Sequence, residues 1–149
     1  MAPNGYVLRP FELKDLGQVS KVEEASFPER PYTKVDFLSC LLIAREGFIV
    51  ASRDSSVVGY VIAMGKGGEG VIQSIAVSPE SREKGVGEAL MKAAIEHLAV
   101  RFRRSSLLVD AKNERAIRLY HRLSFLETGR IIEGYYPNGD DAVEMAKEL

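Results

Sequence analysis

The sequence is short of cysteine: of its 149 residues only Cys40 is one. That excludes a disulfide within the chain and any cysteine-based zinc site, and it fits a reducing cytoplasm. Histidine is scarce too. His97 and His121 lack partners at metal-ligand spacing, so both are assigned to structure or surface and no metal is expected. No apolar run approaches the ~20 residues of a membrane span, and no signal-peptide pattern opens the chain. Neither sign of charge dominates: 20 Lys and Arg face 21 Asp and Glu, a formal net charge of −1, which argues against nucleic acid as the main partner. Internal repeats, low-complexity tracts and linkers are absent as well. Residues 1–149 therefore read as one cytoplasmic domain, long enough for a single core.

Two phosphate loops are also missing. Gly87 is followed by Glu88-Ala89, so there is no Gly-Lys-Ser/Thr ending, and Leu90 stands where a dinucleotide fingerprint needs its third glycine. A formal GxGxxG does occur over Gly65–Gly70, but it leads into a strand instead of a helix and reads as a hairpin connection. What is present is a strand, Val71–Val77, followed by the turn Arg82-Glu83-Lys84-Gly85-Val86-Gly87 and a helix with Leu90, Met91, Ala94, Ile95 and Leu98 on its apolar stripe. Glycines there let backbone N–H groups converge, and the helix N-terminus adds roughly half a positive charge. The turn is a ready site for a phosphate or pyrophosphate.

Around this centre the pattern predicts a strand at Tyr6–Arg9 stopped by Pro10, and a helix from about Lys14 to Ser26. A rigid loop follows at Phe27–Tyr32. The next helix starts at Thr33 with a Thr33-x-x-Asp36 capping box, burying Phe37, Leu38, Leu41 and Leu42. Phe48–Ala51 and Val57–Met64 form a hairpin around Asp54-Ser55-Ser56. After the central strand and helix come a strand at Ser106–Asp110 and a helix at Glu114–Leu123 with Asn113 as N-cap. Two strands, about Leu126–Gly134 and Asp141–Ala146, close the chain. The order β-α-α-β-β-β-α-β-α-β-β implies an α/β domain with a mixed sheet and helices on both faces.

The segment Arg82-x-x-Gly85-x-Gly87, following Ile75-Ala76-Val77, resembles the Q/R-x-x-G-x-G/A signature of the GNAT superfamily of acyltransferases. Asn113-x-x-Ala116-x-x-Leu119-Tyr120-x-x-x-Ser124-Phe125 is similar to that family's second motif, departing at Ser124 where glycine is usual. Gly134-Tyr135-Tyr136-Pro137-Asn138-Gly139-Asp140-Asp141-Ala142 and Phe27-Pro28-Glu29 resemble segments of N-terminal acetyltransferase catalytic subunits, including those that acetylate ribosomal-protein alanine. The resemblance implies a mostly antiparallel sheet of about seven strands flanked by four helices, with acetyl-CoA as the donor. It further implies that Arg82, Glu83, Lys84, Gly85, Val86, Gly87 and Glu88 hold the coenzyme pyrophosphate. Ile75, Ala76 and Val77 would position its pantetheine arm, and Asn113, Ala116 and Tyr120 would meet the coenzyme near its sulfur. Phe27, Pro28, Glu29 and Tyr32 would line the acceptor pocket, with Tyr135 and Tyr136 gripping the peptide backbone.

Direct acetyl transfer to an amine needs a held donor, a neutral amine, a stabilised oxyanion and a proton for the leaving thiolate. Tyr120, with an ordinary pKa of ~10, suits the last task. The base is less obvious, because the family's usual positions are occupied by Val71 and Leu108. Glu29 is the candidate, directly or through water; binding the substrate ammonium, or simple exposure, are its other readings. A peptide α-amine near pKa 7.7–8.0 is roughly a tenth neutral at pH 7, whereas a lysine at ~10.4 is neutral about once in a few thousand. A site without a strong base thus suits protein or peptide N-termini, ribosomal proteins and nascent chains included, with an auxiliary subunit as a further partner. A lysine or small-amine acetyltransferase, or a non-catalytic acyl-CoA-binding module, are the alternatives.

Overall fold

The structure, a computed structural model, describes residues 2–3 and 5–149. Its centre is an antiparallel meander of β2 (Phe48–Arg53), β3 (Ser56–Lys66) and β4 (Glu69–Val77). Each connection is a tight turn of left-handed residues, Asp54 and Ser55 at φ 50° and 67°, then Gly67 and Gly68 at φ 60° and 84°. Paired left-handed residues match the twist of antiparallel strands. The formal GxGxxG is thus a hairpin, as its sequence context predicts.

The other strands are β1 (Val7–Pro10), β5 (Arg104–Asp110), β6 (Leu126–Ile132) and β7 (Ala142–Glu148), giving one seven-stranded sheet in the order β1-β2-β3-β4-β5-β7-β6. Pro10 is the last residue of β1 instead of the residue that stops it. An edge strand tolerates its missing N–H. All pairings are antiparallel except β4 with β5.

Helices α1 (Leu16–Ser26) and α2 (Lys34–Ala44) cover one face over Phe11, Val19, Val22, Phe37, Phe48 and Tyr60. Phe11 stacks on Phe48 at 4.2 Å, and Phe37 meets Tyr60 edge-on at 5.5 Å. Helices α3 (Val86–Ala99) and α4 (Glu114–Arg122) cover the other face over Leu90, Met91, Leu98, Leu107, Phe125 and Met145. The capping box of α2 forms in both directions: the Asp36 N–H donates to Thr33 Oγ1 at 3.1 Å and the Thr33 N–H donates to Asp36 Oδ2 at 2.7 Å. The buried face expected for this helix is only half right. Phe37 is enclosed, but Leu38 lies at the exposed margin and Leu42 is 78% exposed, because the sheet meets the helix on the Phe37–Leu41 side alone.

Candidate active site

The site lies where the sheet comes apart. β4 and β5 pair only at Gly70–Ser105, Val71–Ser106 and Ile72–Leu107, and beyond those residues they diverge. At the same point β4 bulges: Ile62 faces Ser74 and Ala63 faces Ile72, leaving Gln73 without a partner on β3. A bulge of this kind bends the strand and turns two consecutive side chains to one face. The β4 edge from Gln73 to Val77 is consequently open toward β5, with polar backbone groups that the sheet does not use.

On the α3 side of this cleft, Gly85 is the N-cap of α3 at φ 83°, a left-handed conformation that glycine adopts without strain. Among the described residues no side chain caps the helix there, so its first N–H groups remain available to an anion. A Cβ on Gly87 would meet nothing nearer than Val77 Cγ2 at 3.8 Å, so the space in front of the helix is open. Arg82 turns away from it. Its Nε donates to the Val77 carbonyl at 2.9 Å and its Nη2 to Ser26 Oγ at 3.1 Å, tying the loop to the end of β4 and to α1. Glu83, left-handed at φ 63°, pairs with Arg115 of α4 at 3.3 Å, and Glu88 pairs with Arg122 at 3.5 Å. These bridges bring α4 against the start of α3. Lys84 is exposed, Val86 is buried, and Ile75 and Val77 pack on the α3 side while Ala76 points to the α1 side.

Asn113 caps α4, its Oδ1 accepting from the Ala116 N–H at 3.2 Å. Two turns later Tyr120 is buried against Phe125, ring centroids 6.2 Å apart. Burial pushes its hydroxyl pKa up to about 12, so it keeps its proton at neutral pH and is suited to act as an acid. Ser124, in the place where the motif resemblance expects glycine, has φ 72°, so it keeps the backbone shape that glycine would allow.

The connection between β6 and β7 carries two adjacent tyrosines, Tyr135 and Tyr136. Their rings lie 5.0 Å apart, edge to face. Tyr135 is near enough to raise the pKa of Tyr32, and Tyr136 is held above its ordinary value chiefly by burial, then by Tyr135, Asp110 and Tyr120. Phe27, Pro28 and Glu29 are exposed on the α1–α2 loop. Val71 and Leu108 stand half-buried on either side of the divergence and carry no ionisable group.

Sequence reasoning passed over the groups behind the loop. Glu23, on the inner face of α1, is 2% exposed and accepts from the Tyr32 N–H at 2.8 Å and from the Tyr60 hydroxyl. Tyr60 in turn lies 2.9 Å from Ser74 Oγ, and the Gln73 side-chain amide donates to the Tyr32 hydroxyl at 3.0 Å. Burial raises the pKa of Glu23. The available signal was a glutamate at the core spacing of Val19 and Val22, a charged residue on an apolar stripe. Elsewhere, His121 pairs with Glu127 at 2.7 Å and His97 packs beside Gly47, both away from the cleft. No group of three or more metal-binding side chains occurs among the described residues. No helix among them is long and apolar enough to cross a membrane.

Residues 13–125 match the model of the acetyltransferase (GNAT) family, and the chain belongs to that family. It is 30% identical to an N-alpha-acetyltransferase of Saccharolobus solfataricus over 97% of this chain and 93% of that protein. A putative [ribosomal protein bS18]-alanine N-acetyltransferase of Bacillus subtilis is 33% identical over 93% of this chain and 92% of its own. The crystal structure of Ard1 from Thermoplasma volcanium superposes with a TM-score of 0.91 at 28% identity, covering 97% of this chain and 98% of that one. The protein is an acetyl-transfer enzyme with the GNAT fold, and its family implies acetyl-CoA as the donor.

Proposed function

We propose that this enzyme acetylates the free N-terminal amine of proteins or peptides by direct attack on acetyl-CoA. The observation that carries the reading is the Tyr135–Tyr136 pair, two adjacent tyrosines on the connection between β6 and β7 whose rings lie 5.0 Å apart, edge to face. Two adjacent tyrosines at the rim of an opened strand edge suit an extended peptide, whereas a small amine needs no such clamp. The archaeal relative named an N-alpha-acetyltransferase and the bacterial relative named for ribosomal protein bS18 support the same class of acceptor.

The chain's own residues fit the donor. The uncapped α3 N-terminus behind Gly85, with open space at Gly87, suits a pyrophosphate, and the freed β4 edge at Ile75–Val77 suits an amide-bearing arm. When bound, acetyl-CoA supplies the acetyl group as a thioester. Arg82, Glu83 and Glu88 shape the cradle through their bonds to β4, α1 and α4, with Lys84 and Val86 completing its loop. Asn113 and Ala116 fix the start of α4, and with it the position of Tyr120, whose Oη holds the proton for the leaving sulfur. Phe27, Pro28 and Tyr32 shape the pocket for the first acceptor residue, and Glu29 faces the cationic amine from the loop. Nascent chains and ribosomal proteins in the cytoplasm are the expected acceptors, with or without an auxiliary subunit.

The test is thiol release and mass spectrometry with peptides beginning Ser, Ala or Met, beside the same peptides blocked at the N-terminus and carrying an internal lysine. Acetylation confined to free N-termini supports the reading. Transfer to lysine or small amines alone replaces it with the rival enzyme, and donor binding without any transfer replaces it with a binding module.

A further inference from the structure

The reaction must remove a proton from an amine, yet Val71 and Leu108 leave the cleft walls without a base. Behind those walls lies a carboxyl group with no cation beside it among the described residues. Both oxygens of Glu23 are used, Oε2 by the Tyr32 N–H and Oε1 by the Tyr60 hydroxyl. Tyr60 is 0% exposed and continues to Ser74 Oγ at 2.9 Å, where either hydroxyl can donate. Ser74 is half-buried, so among the described residues it is the one member of this chain of hydroxyls with an outlet to solvent. It also sits one residue past the bulged Gln73, where β4 and β5 separate.

We propose that Ser74, Tyr60 and Glu23 form a proton relay that takes the proton from the acceptor amine at the β4 bulge. This rests on the amine-acetylation reading above. With Glu23 ionised, Ser74 donates to Tyr60 and Tyr60 donates to Glu23, which leaves a Ser74 lone pair facing the cleft. An ammonium N–H breaks as an O–H bond to Ser74 Oγ forms. The former Ser74 proton passes to Tyr60 Oη, and the former Tyr60 proton to Glu23 Oε1. The balance is one ammonium converted to a neutral amine and one carboxylate to a carboxyl. Every hydrogen bond then points the other way, and after the product leaves the proton returns to solvent through Ser74. Ser74 touches the amine, while Tyr60 and Glu23 are positioning residues acting through it. The titratable groups facing Glu23 are Tyr60 on β3, Tyr32 in the loop, and Asp36 and Cys40 on α2. All of these are neutral or anionic at pH 7, and none holds Glu23 as a permanent ion pair.

The experiment is kcat/KM against pH for the wild type, Ser74→Ala, Tyr60→Phe and Glu23→Gln, using an alanine-initiated peptide. The relay gives a loss of about 100-fold in each variant near pH 6.5, the scale of general base catalysis. The loss shrinks to about twofold near pH 9.5, where a peptide amine of pKa 7.7–8.0 is already neutral. Ser74→Thr restores the hydroxyl and the rate. A deficit that is the same at every pH, or no deficit, overturns the relay. A readout without donor is the 13C-carboxyl titration of Glu23, assigned by its loss in Glu23→Gln. It is expected above the ordinary carboxylate range, and a midpoint at or below that range also overturns the relay. If peptides are inert but another amine is acetylated, the peptide reading fails and the relay is judged by the same pH series on that amine. If no amine is acetylated, both fall.

Discussion

The two sides of the cleft are built by different means. The proposed donor side, from β4 through α4, is held mainly by backbone: a left-handed glycine at the start of α3, an asparagine cap on α4 and an unused strand edge. The acceptor side is held by side chains from distant parts of the chain, with Glu23 reaching Tyr32 and Tyr60, Tyr60 reaching Ser74, and Tyr32 reaching Gln73. A donor that is the same molecule in every turnover suits a site made of main-chain groups, which mutation alters little. Pocket walls made of side chains, by contrast, can be retuned one residue at a time.

The contrast gives an ordered set of expectations. Tyr120→Phe keeps the ring against Phe125 and removes the proton donor, so kcat is expected to fall about 100-fold or more while the melting temperature stays put. Since its pKa is about 12, the wild type should show no alkaline loss from this group below roughly pH 11. Gly87→Leu projects into the open space before α3. Calorimetry should show donor affinity reduced about tenfold or more, about 1.4 kcal/mol, in a protein whose stability is equal or higher because a helical glycine is gone.

Smaller effects are expected at acceptor-side positions outside the relay, and in stability. Tyr135, 53% exposed, is expected on truncation to alanine to lower peptide kcat/KM about tenfold, with donor affinity and melting temperature unchanged. Glu23→Gln separates the sides through pH. A carboxyl whose pKa is higher folded than unfolded makes the native state bind more protons between those two values, so wild-type stability declines as pH rises through that window. Thermal melts of Glu23→Gln should lack that decline and gain on the wild type toward neutral pH. Glu29→Gln, at an exposed position, is expected to raise peptide KM only about threefold and leave kcat alone, the scale of an exposed charge pair. A large fall in kcat would instead make Glu29 the base.

Legibility followed the same division. The order of elements along the chain, the capping box at Thr33, the hairpin at Gly67–Gly68 and the glycine turn at Gly85 are local events, set by φ preferences and side-chain spacing within a few residues, and they are readable from the chain. Leu42 misled because the helical period says which residues share a face but not how wide a face the sheet will cover. The bonds of the Arg82 guanidinium to the Val77 carbonyl and Ser26 were not legible, because they need the loop folded against α1.

By itself the sequence determined the family, the order of elements and the local shape of the glycine turn before α3, because each depends on short-range backbone chemistry and on apolar periodicity. Only the tertiary structure decided where β4 and β5 part, that Gln73 bulges, and that Glu23 lies buried behind Ser74. Glu23 and Ser74 are 51 residues apart. Their connection through Tyr60 exists because the core excludes water from a carboxyl group that no cation among the described residues accompanies, so that a backbone N–H and a hydroxyl must satisfy it.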